Sequence, residues 1–512
     1  MIAKITLLVV FFGIMIIVGI LSKKHATNVN DFVLGGRGVG PWLTAFAFGT
    51  SYFSSVVFIG YAGKFGWDFG LASTWIGLGN AFIGSLLAWI VLGRRTRVMT
   101  NHLQAATMPE FFGKRYESKA IKITASIIIF VFLVPYTASI YNGLSRLFGM
   151  AFDIPYEVCV IAMATLTAAY VILGGYMATA INDFIQGIIM LIGIVAVILA
   201  VLSGKGGFIE AIKNLAVFNS EVPTTLGQPG AYTSFFGPDP INLLSVIILT
   251  SLGTWGLPQM VHKFYTIKDE NSIRTGTIVS TIFAVIIAGG SYFLGGFARL
   301  FDSDAIRTVA ADGTSKIAYD SIVPYMLSDL PDILVGITVV LVLSASMSTL
   351  SSLVLTSSST LTLDFLKETC MKKMSGKRQL LIMRILIAIF VAISVILALD
   401  PPKFIAELMG ISWSALAGSF LAPFMYGLYW KKVTKPAVWA SFAVGVGFTV
   451  ANLYLGFITS SIVAGAVAMI LSLIIVPIVS LITPKIPKAS VLDMFSCYTE
   501  TVIVSKKDSL EE

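Results

Sequence analysis

A run of hydroxyl side chains inside an apolar segment is the feature of this sequence that most clearly suggests chemistry. Four residues of the run have the spacing i, i+3, i+4, i+7 and therefore share one face of a helix: Ala345, Ser348, Thr349 and Ser352, with Ser351 beside Ser348. Hydroxyl and carbonyl oxygens are suitable ligands for a hard monovalent cation, because they hold it without a fixed negative charge. The alternative is that these side chains only pack and hydrogen-bond to the preceding turn. That explanation suits two or three such residues better than a run of this length.

Two other apolar segments, 46–55 and 250–259, contain residues that interrupt a helix. The first has a glycine and four small hydroxyl residues, and the second has two glycines and a proline. Unpaired backbone groups are tolerated in a membrane only where they line a cavity or bind something. The two segments lie in the first helix of successive five-helix blocks, 41–202 and 241–430, and this arrangement indicates the binding site of a secondary transporter. Close helix packing through small residues is the alternative.

Asp183 is an ionisable residue near the start of the predicted membrane span 178–202. An ionisable residue inside a span is a candidate proton relay or cation ligand. A solvated aspartate at a helix start, favoured by the helix dipole, is the alternative.

Other classes of chemistry are disfavoured. The three cysteines (Cys159, Cys370 and Cys497) have no CxxC spacing, and the three histidines share no ligand spacing, so a zinc or haem enzyme is not expected. The phosphate-binding pattern GxxxxGK[ST] does not occur, which argues against ATP-driven pumping by this chain. The longest predicted outside loops, 203–240 and 300–331, are too short for a catalytic domain, so the prediction is a protein that is not an enzyme.

The composition predicts an all-α polytopic membrane protein. The chain has 512 residues, of which 56% are hydrophobic and 12% charged, against about 25% charged in soluble domains, and its mean hydropathy is +0.88. The net charge of +8 is expected from cytoplasmic loops and does not indicate nucleic-acid binding. Runs of about 20 apolar residues predict about 13 spans, with the first retained as an anchor: 2–21, 41–63, 68–93, 120–148, 153–173, 178–202, 241–261, 275–299, 332–363, 379–399, 404–430, 437–457 and 459–482.

Basic residues concentrate in alternate loops, and these loops are predicted to be cytoplasmic. One of them contains Lys263, Lys268 and Arg274, whereas the opposite loop 300–332 is acidic. The expectation is a multi-pass plasma-membrane protein with its N-terminus outside and its C-terminus in the cytoplasm. The predicted organisation is an N-terminal helix and cytoplasmic linker (1–40), a first repeat (41–202), an extracellular loop (203–240), a second repeat (241–430), two C-terminal helices (431–482) and a cytoplasmic tail (483–512).

Several motifs together resemble the sodium:solute symporter family. They are 31–41 (DFVLGGRGVGP), 106–115 (ATMPEFFGKR), 173–186 (LGGY followed by DFIQ), 256–259 (GLPQ) and 345–349 (ASMST). The resemblance extends to that family's bacterial sodium/proline and sialic acid symporters. It implies the leucine-transporter fold, with five plus five helices in an inverted repeat, one extra helix before them and two after them.

The resemblance also implies ion ligands. The family's main sodium site falls on the backbone carbonyls of Thr50, Phe53 and Ala345 and on the hydroxyls of Ser348 and Thr349. In members that resemble the sialic acid transporters, an aspartate and two serines hold a second ion, and these positions correspond to Asp183, Ser351 and Ser352. One or two sodium ions are therefore expected, and two are favoured.

The solute is expected between the two interrupted spans, where unwound backbone offers free N–H and C=O groups. The predicted contacts are Ser54, Ser55, Tyr136, Thr254 and Trp255. The functional prediction is sodium-coupled symport of a small organic solute by alternating access, with an amino acid such as proline favoured. The alternatives are a sugar, sialic acid, monocarboxylate or pantothenate-like solute, or a proton-coupled or uncoupled carrier on the same fold. The sequence does not predict the oligomeric state.

Overall fold

The computed structural model describes residues 2–23, 26–152, 154–309, 315–400 and 405–498. Lys24 of the first predicted cytoplasmic loop and 499–512 of the predicted tail lie outside these residues. Within them, ten helices are long and apolar enough to cross a membrane, or eleven if one bent pair is counted as a span. The predicted polytopic helical architecture is therefore confirmed, whereas the number of 13 spans stays a prediction.

The secondary structure is helical apart from one short hairpin in the described residues. Strands β1 (Arg307–Val309) and β2 (Ser315–Ile317) are antiparallel, with Arg307 opposite Ile317. The helices, in chain order, are α1 Ile2–Ser22, α2 Val29–Leu34, α3 Pro41–Tyr52, α4 Ala62–Phe69, α5 Thr74–Gly79, α6 Arg94–His102, α7 Met108–Arg115, α8 Lys119–Phe152, α9 Tyr156–Ser203, α10 Phe208–Ala216, α11 Pro240–Leu252, α12 Pro258–Thr266, α13 Glu270–Ala284, α14 Gly290–Gly295, α15 Tyr319–Ser328, α16 Asp332–Thr360, α17 Lys367–Thr369, α18 Gly376–Leu399, α19 Ile405–Tyr429, α20 Lys435–Phe442, α21 Phe448–Leu455, α22 Ser461–Ile482 and α23 Lys488–Ser496.

Helix α9 is one continuous element of 48 residues that contains a kink. At about 1.5 Å per residue it is about twice as long as a bilayer core of about 30 Å is thick. Gly175, with φ 55° and ψ −148°, interrupts the helical backbone near its middle. This conformation is readily accessible only to glycine, so the kink divides α9 where the sequence predicts one span to end and the next to begin.

The first predicted interruption is present. Helix α3 ends at Tyr52, and Phe53 has extended backbone angles, φ −89° and ψ 122°. A π-helical segment, Val56–Tyr61, then leads into α4. The carbonyl groups at the end of α3 therefore lack the partners that a continuous helix would provide.

The second predicted interruption is present as well. Helix α11 ends at Leu252, a 3₁₀ turn occupies Gly253–Trp255, and α12 begins at Pro258 with a bend of 41° between the two halves. Proline is favoured at a helix start because its missing N–H group needs no partner there. Pro258 thus starts a new helix that continues inside the protein.

Lys263 differs from its predicted location. The sequence places it in a cytoplasmic loop, but it lies in α12 and only 2% of its side chain is exposed. The predicted span ended at 261 because the apolar run ends there, and a lysine that follows an apolar run is typical of a loop. The restart of the helix at Pro258 instead carries Lys263 into contact with neighbouring helices.

Helix α16 is the central element of the core. It packs along α8, α9, α18 and α3, and its residues from Leu341 to Thr360 are all buried. Its hydroxyl-rich stretch consequently faces protein on every side and is not exposed to lipid.

Helices α4 and α14 cross each other at very short distance. A Cβ atom on Gly66 would lie 1.9 Å from the carbonyl oxygen of Gly295, and one on Gly295 would lie 2.1 Å from the carbonyl oxygen of Ala62. The two backbones can approach this closely only because neither glycine carries a side chain.

Candidate functional site

The end of α3 and the middle of α16 bring together the five oxygens predicted for the first ion site. Thr349 Oγ1 lies 3.3 Å from the carbonyl oxygen of Thr50, 3.0 Å from that of Phe53 and 3.1 Å from that of Ala345. Ser348 Oγ lies 3.1 Å from the Thr50 oxygen and 2.9 Å from the Ala345 oxygen. All five residues are buried.

These oxygens have fewer protons than contacts. Ser348 and Thr349 each carry one hydroxyl hydrogen, whereas their two oxygens make five short contacts with carbonyl oxygens. Each hydrogen is directed at one carbonyl oxygen or shared between two, so the five contacts are not all satisfied at once and oxygen lone pairs face one another. A small cation among them would turn this repulsion into attraction, and the residues present therefore fit a sodium ion.

The residues predicted for a second ion are arranged around a lysine. Lys263 Nζ lies 3.6 Å from Asp183 Oδ2 and donates a hydrogen bond of 3.0 Å to Ser352 Oγ. Both charged side chains are buried, with 2% of Lys263 and none of Asp183 exposed. The third predicted ligand, Ser351, donates to the carbonyl oxygen of Ser348 at 2.9 Å.

The ammonium group of Lys263 is thus already in contact with two of the three predicted ligands. A buried carboxylate is costly without a counter-charge, and Lys263 provides that charge from within the chain. The second ion site stays a prediction, and in this arrangement the ammonium group of Lys263 lies among its predicted ligands.

The end of α12 beyond Lys263 is hydrogen-bonded to the segment that follows α2. The Val39 N–H group donates to the carbonyl of Thr266 at 3.2 Å, and the Lys268 N–H group donates to the carbonyl of Val39 at 3.1 Å. Arg37 donates to the carbonyl oxygens of Tyr265 and Ala105 at 3.3 and 2.6 Å. Burial, with a smaller effect of Arg97, lowers the pKa of Arg37 to about 10, so its guanidinium remains charged at neutral pH. These contacts join the end of α12 to the linker that precedes α3, on the side predicted to be cytoplasmic.

The predicted solute contacts lie at the two interruptions, and several already have protein partners. Ser55 Oγ donates to the carbonyl of Ile140 at 2.9 Å. Thr254 Oγ1 donates to the carbonyl of Ser251 at 2.8 Å, and Trp255 Nε1 donates to that of Ile83 at 3.0 Å. Ser54 and Tyr136 lie next to each other. The structure therefore brings the five residues to the same region but uses three of them in helix packing.

A cluster of buried polar side chains next to Tyr136 was not predicted from the sequence. Tyr52 lies beside Asn80 and Tyr292, and Trp413 packs against both Tyr52 and Tyr136, with ring centroids 5.8 and 5.9 Å away. Among the described residues, the Tyr52 and Tyr292 hydroxyls, Asn80 Nδ2 and Trp413 Nε1 make no well-aligned hydrogen bond, although the two hydroxyls and Asn80 lie close to one another. Asn80, a polar residue within an apolar segment, was the one signal that could have indicated this cluster.

Polar groups buried without partners are costly in a folded protein. The four of them around the broken α3 are therefore candidates for binding a polar ligand. We call Tyr52, Asn80, Tyr136, Tyr292 and Trp413 the tyrosine cluster. None of its side chains carries a charge.

Known proteins match this chain over most of its length. The model of the sodium:solute symporter family matches residues 32–445. The osmoregulated proline transporter OpuE of Bacillus subtilis (strain 168) is 28% identical over 485 residues, which are 94% of this chain and 95% of that protein. Sodium/proline symporter 2 of Staphylococcus saprophyticus is 29% identical, covering 86% of this chain and 84% of that protein. The sodium/proline symporter of Salmonella typhimurium (strain LT2) is 26% identical, covering 86% of each.

Among solved structures, this fold is similar to that of a Na⁺-coupled sialic acid symporter in a substrate-bound outward-open state. The TM-score is 0.75 with 16% sequence identity, and the match covers 94% of this chain and 98% of that chain. At this identity the likeness concerns the fold.

Proposed function

This chain belongs to the sodium:solute symporter family, and starting from the sodium-coupled symport that characterises the family we propose that its solute is a small zwitterionic amino acid, proline in particular. Each of the three relatives compared above is named as a proline transporter or symporter. The uncharged tyrosine cluster supports this proposal, because a solute with net charge would require a buried counter-charge. The observation that carries the proposal is the position of this cluster beside the five converging oxygens at the end of α3.

In the proposed mechanism, sodium binds between the carbonyls of Thr50, Phe53 and Ala345 and the hydroxyls of Ser348 and Thr349. The bound ion supplies one positive charge that offsets the repulsion among these oxygens. The ligands come from the end of α3 and the residue that follows it on one side and from α16 on the other, so their approach sets the position of the broken helix. Tyr52 is the last residue of α3, and the ion site therefore positions one wall of the tyrosine cluster.

Coupling requires only that this arrangement prefer one state of the transporter. A ligand shifts an equilibrium by the difference between its affinities for the two states. If the end of α3 and the middle of α16 approach only in the state that receives solute, sodium favours that state, and by reciprocity solute favours sodium binding.

We further propose the leucine-transporter architecture for the membrane domain, with thirteen spans in the order predicted from the sequence. It comprises a first repeat (41–202) and a second repeat (241–430), preceded by the N-terminal segment and followed by two helices. The two interrupted helices in corresponding positions support it. The positive charges of alternate loops support an N-terminus outside and a C-terminus in the cytoplasm, in the plasma membrane.

The function is tested by uptake of radiolabelled proline into proteoliposomes. An inward sodium gradient should drive accumulation, whereas a proton gradient of equal size should not. Sialic acid, glucose, pantothenate and a monocarboxylate, each added in excess, should compete poorly. Competition by one of them and not by proline would replace the proposed solute, and uptake without sodium would contradict the proposed coupling.

We expect Tyr52→Phe and Tyr292→Phe to raise the KM for proline about five- to tenfold, without loss of thermal stability. Each change removes a hydroxyl that makes no well-aligned hydrogen bond to the described residues, so folding loses little, while the solute loses a hydrogen bond of about 1 kcal/mol. Initial rates of uptake and thermal unfolding in detergent measure the two effects.

Tyr116→Phe is the matched control for this prediction. The Tyr116 hydroxyl donates to the carbonyl of Pro423, so its removal should lower stability and leave the KM unchanged. If all three variants and the unmodified protein have equal KM values, the tyrosine cluster does not bind the solute.

A further inference from the structure

Among the described contacts, Lys263 is the one basic residue that pairs with Asp183, and the two residues belong to different helices. Asp183 is in α9, Ser352 in α16 and Lys263 in α12. The ammonium group therefore connects three helices through one carboxylate and one hydroxyl. A small bound cation at this position would make the same connections.

The same hydroxyl links Lys263 to the first ion site. Ser352 Oγ shares a hydrogen bond of 2.8 Å with Ser51 Oγ in α3 and lies 3.1 Å from the carbonyl oxygen of Ser348. Ser51 follows Thr50 in the chain, and Ser348 provides a ligand hydroxyl. A positive charge at Lys263 Nζ is thus separated from the first ion site by a single side chain.

We propose that the Lys263 ammonium is a built-in cation that takes the place of a second sodium ion, so that this chain binds one sodium ion with each solute. The proposal rests on sodium-coupled symport as the function and concerns the number of ions. Lys263 offsets the charge of Asp183 across 3.6 Å and donates a hydrogen bond to the hydroxyl of Ser352. A sodium ion added at the same oxygens would have a unit positive charge as its immediate neighbour, and the repulsion between them would oppose its binding.

The proposal predicts that removing the ammonium creates a second sodium site. In Lys263→Met, Asp183 keeps its charge, Ser351 and Ser352 keep their hydroxyls, and the flexible apolar side chain leaves space that the ammonium filled. Equilibrium binding of ²²Na⁺ to purified protein in detergent should give one ion per chain for the unmodified protein and two for Lys263→Met. In Lys263→Met/Asp183→Asn the number should return to one, because the carboxylate is absent.

Lys122→Met is the matched control. Lys122 is also a largely buried lysine that pairs with a buried aspartate, with its Nζ 3.4 Å from Asp364 Oδ1. Its pair is remote from the converging oxygens, so this variant should still bind one sodium ion. The control separates the loss of any buried ion pair from the loss of this particular charge.

Charge movement provides a second readout in proteoliposomes. Proline is zwitterionic, so the ratio of net charge to proline counts the sodium ions, and it should be one for the unmodified protein. If Lys263→Met is not recovered in the membrane, the ratio for the unmodified protein decides the question.

Two bound ions in the unmodified protein, or one bound ion in a well-folded Lys263→Met, would overturn the proposal. Absence of any sodium-dependent proline uptake would instead contradict the proposed function. The binding measurement uses sodium alone, so the two failures are distinguishable.

Discussion

Thr349→Ala is expected to raise the half-saturating sodium concentration of uptake by about ten- to a hundredfold. The hydroxyl of Thr349 contacts three of the four other oxygens at the first ion site, more than any of the others in the described contacts. Losing a direct ligand of a charged group costs about 1.5–3 kcal/mol, and each 1.4 kcal/mol corresponds to about a tenfold change in affinity. Uptake measured over a range of sodium concentrations gives the value.

Ser348→Ala is expected to have the same direction and a smaller effect, because Ser348 contacts two of the carbonyl oxygens. Thr338→Ala is the matched control. Thr338 is a buried threonine of the same helix, and its hydroxyl donates to the carbonyl of Leu334 in the preceding turn. Unchanged sodium dependence in both Ser348→Ala and Thr349→Ala, at normal abundance in the membrane, would remove this site from the mechanism.

Gly66→Ala is expected to destabilise the protein by about 1–3 kcal/mol or more, since that range is the usual cost of overpacking. The added carbon would lie 1.9 Å from the carbonyl oxygen of Gly295. Backbone atoms cannot rotate away as a side chain does, so α4 and α14 must separate by more than an ångström. Because α4 continues the broken first span, we also expect lower abundance in the membrane. Thermal unfolding of the purified protein measures the loss.

Gly289→Ala is the control for this change. Gly289 precedes α14, and a Cβ atom placed there meets nothing within 4 Å. Alanine also has the higher helix propensity, so this variant should be as stable as the unmodified protein or slightly more stable. Equal midpoints for Gly66→Ala and Gly289→Ala would show that the close crossing of α4 and α14 does not limit stability.

Local patterns in the sequence were sufficient to predict the helical membrane class and both interruptions. Length and apolarity determine whether a segment crosses a bilayer, because the thickness of the hydrocarbon core sets the number of residues needed. Glycine and proline act on the backbone of their own turn, so the interruptions near Phe53 and Pro258 depended on no distant partner. The hydroxyl face of α16 followed in the same way from helical periodicity alone.

Lys263 was assigned wrongly for the same reason that these predictions succeeded. Its charge and its position after an apolar run are local features, and both are typical of a cytoplasmic loop. Its actual environment depends on Asp183, which is 80 positions earlier, and on Ser352, 89 positions later. Burial of a lysine is stabilised only by such partners, and a single sequence contains no record of which residues become neighbours.

The tyrosine cluster depended on tertiary structure to a similar extent. Tyr52, Asn80, Tyr292 and Trp413 belong to four separate segments, and each alone resembles ordinary packing of a membrane helix. Only the tilt and rotation of the helices, set by close contacts such as Gly66 with Gly295, direct these polar groups to one place. The sequence by itself therefore determined the elements, their interruptions and the chemistry available on one face, whereas the tertiary structure decided which of these groups meet, because helix orientation results from the packing of many distant residues at once.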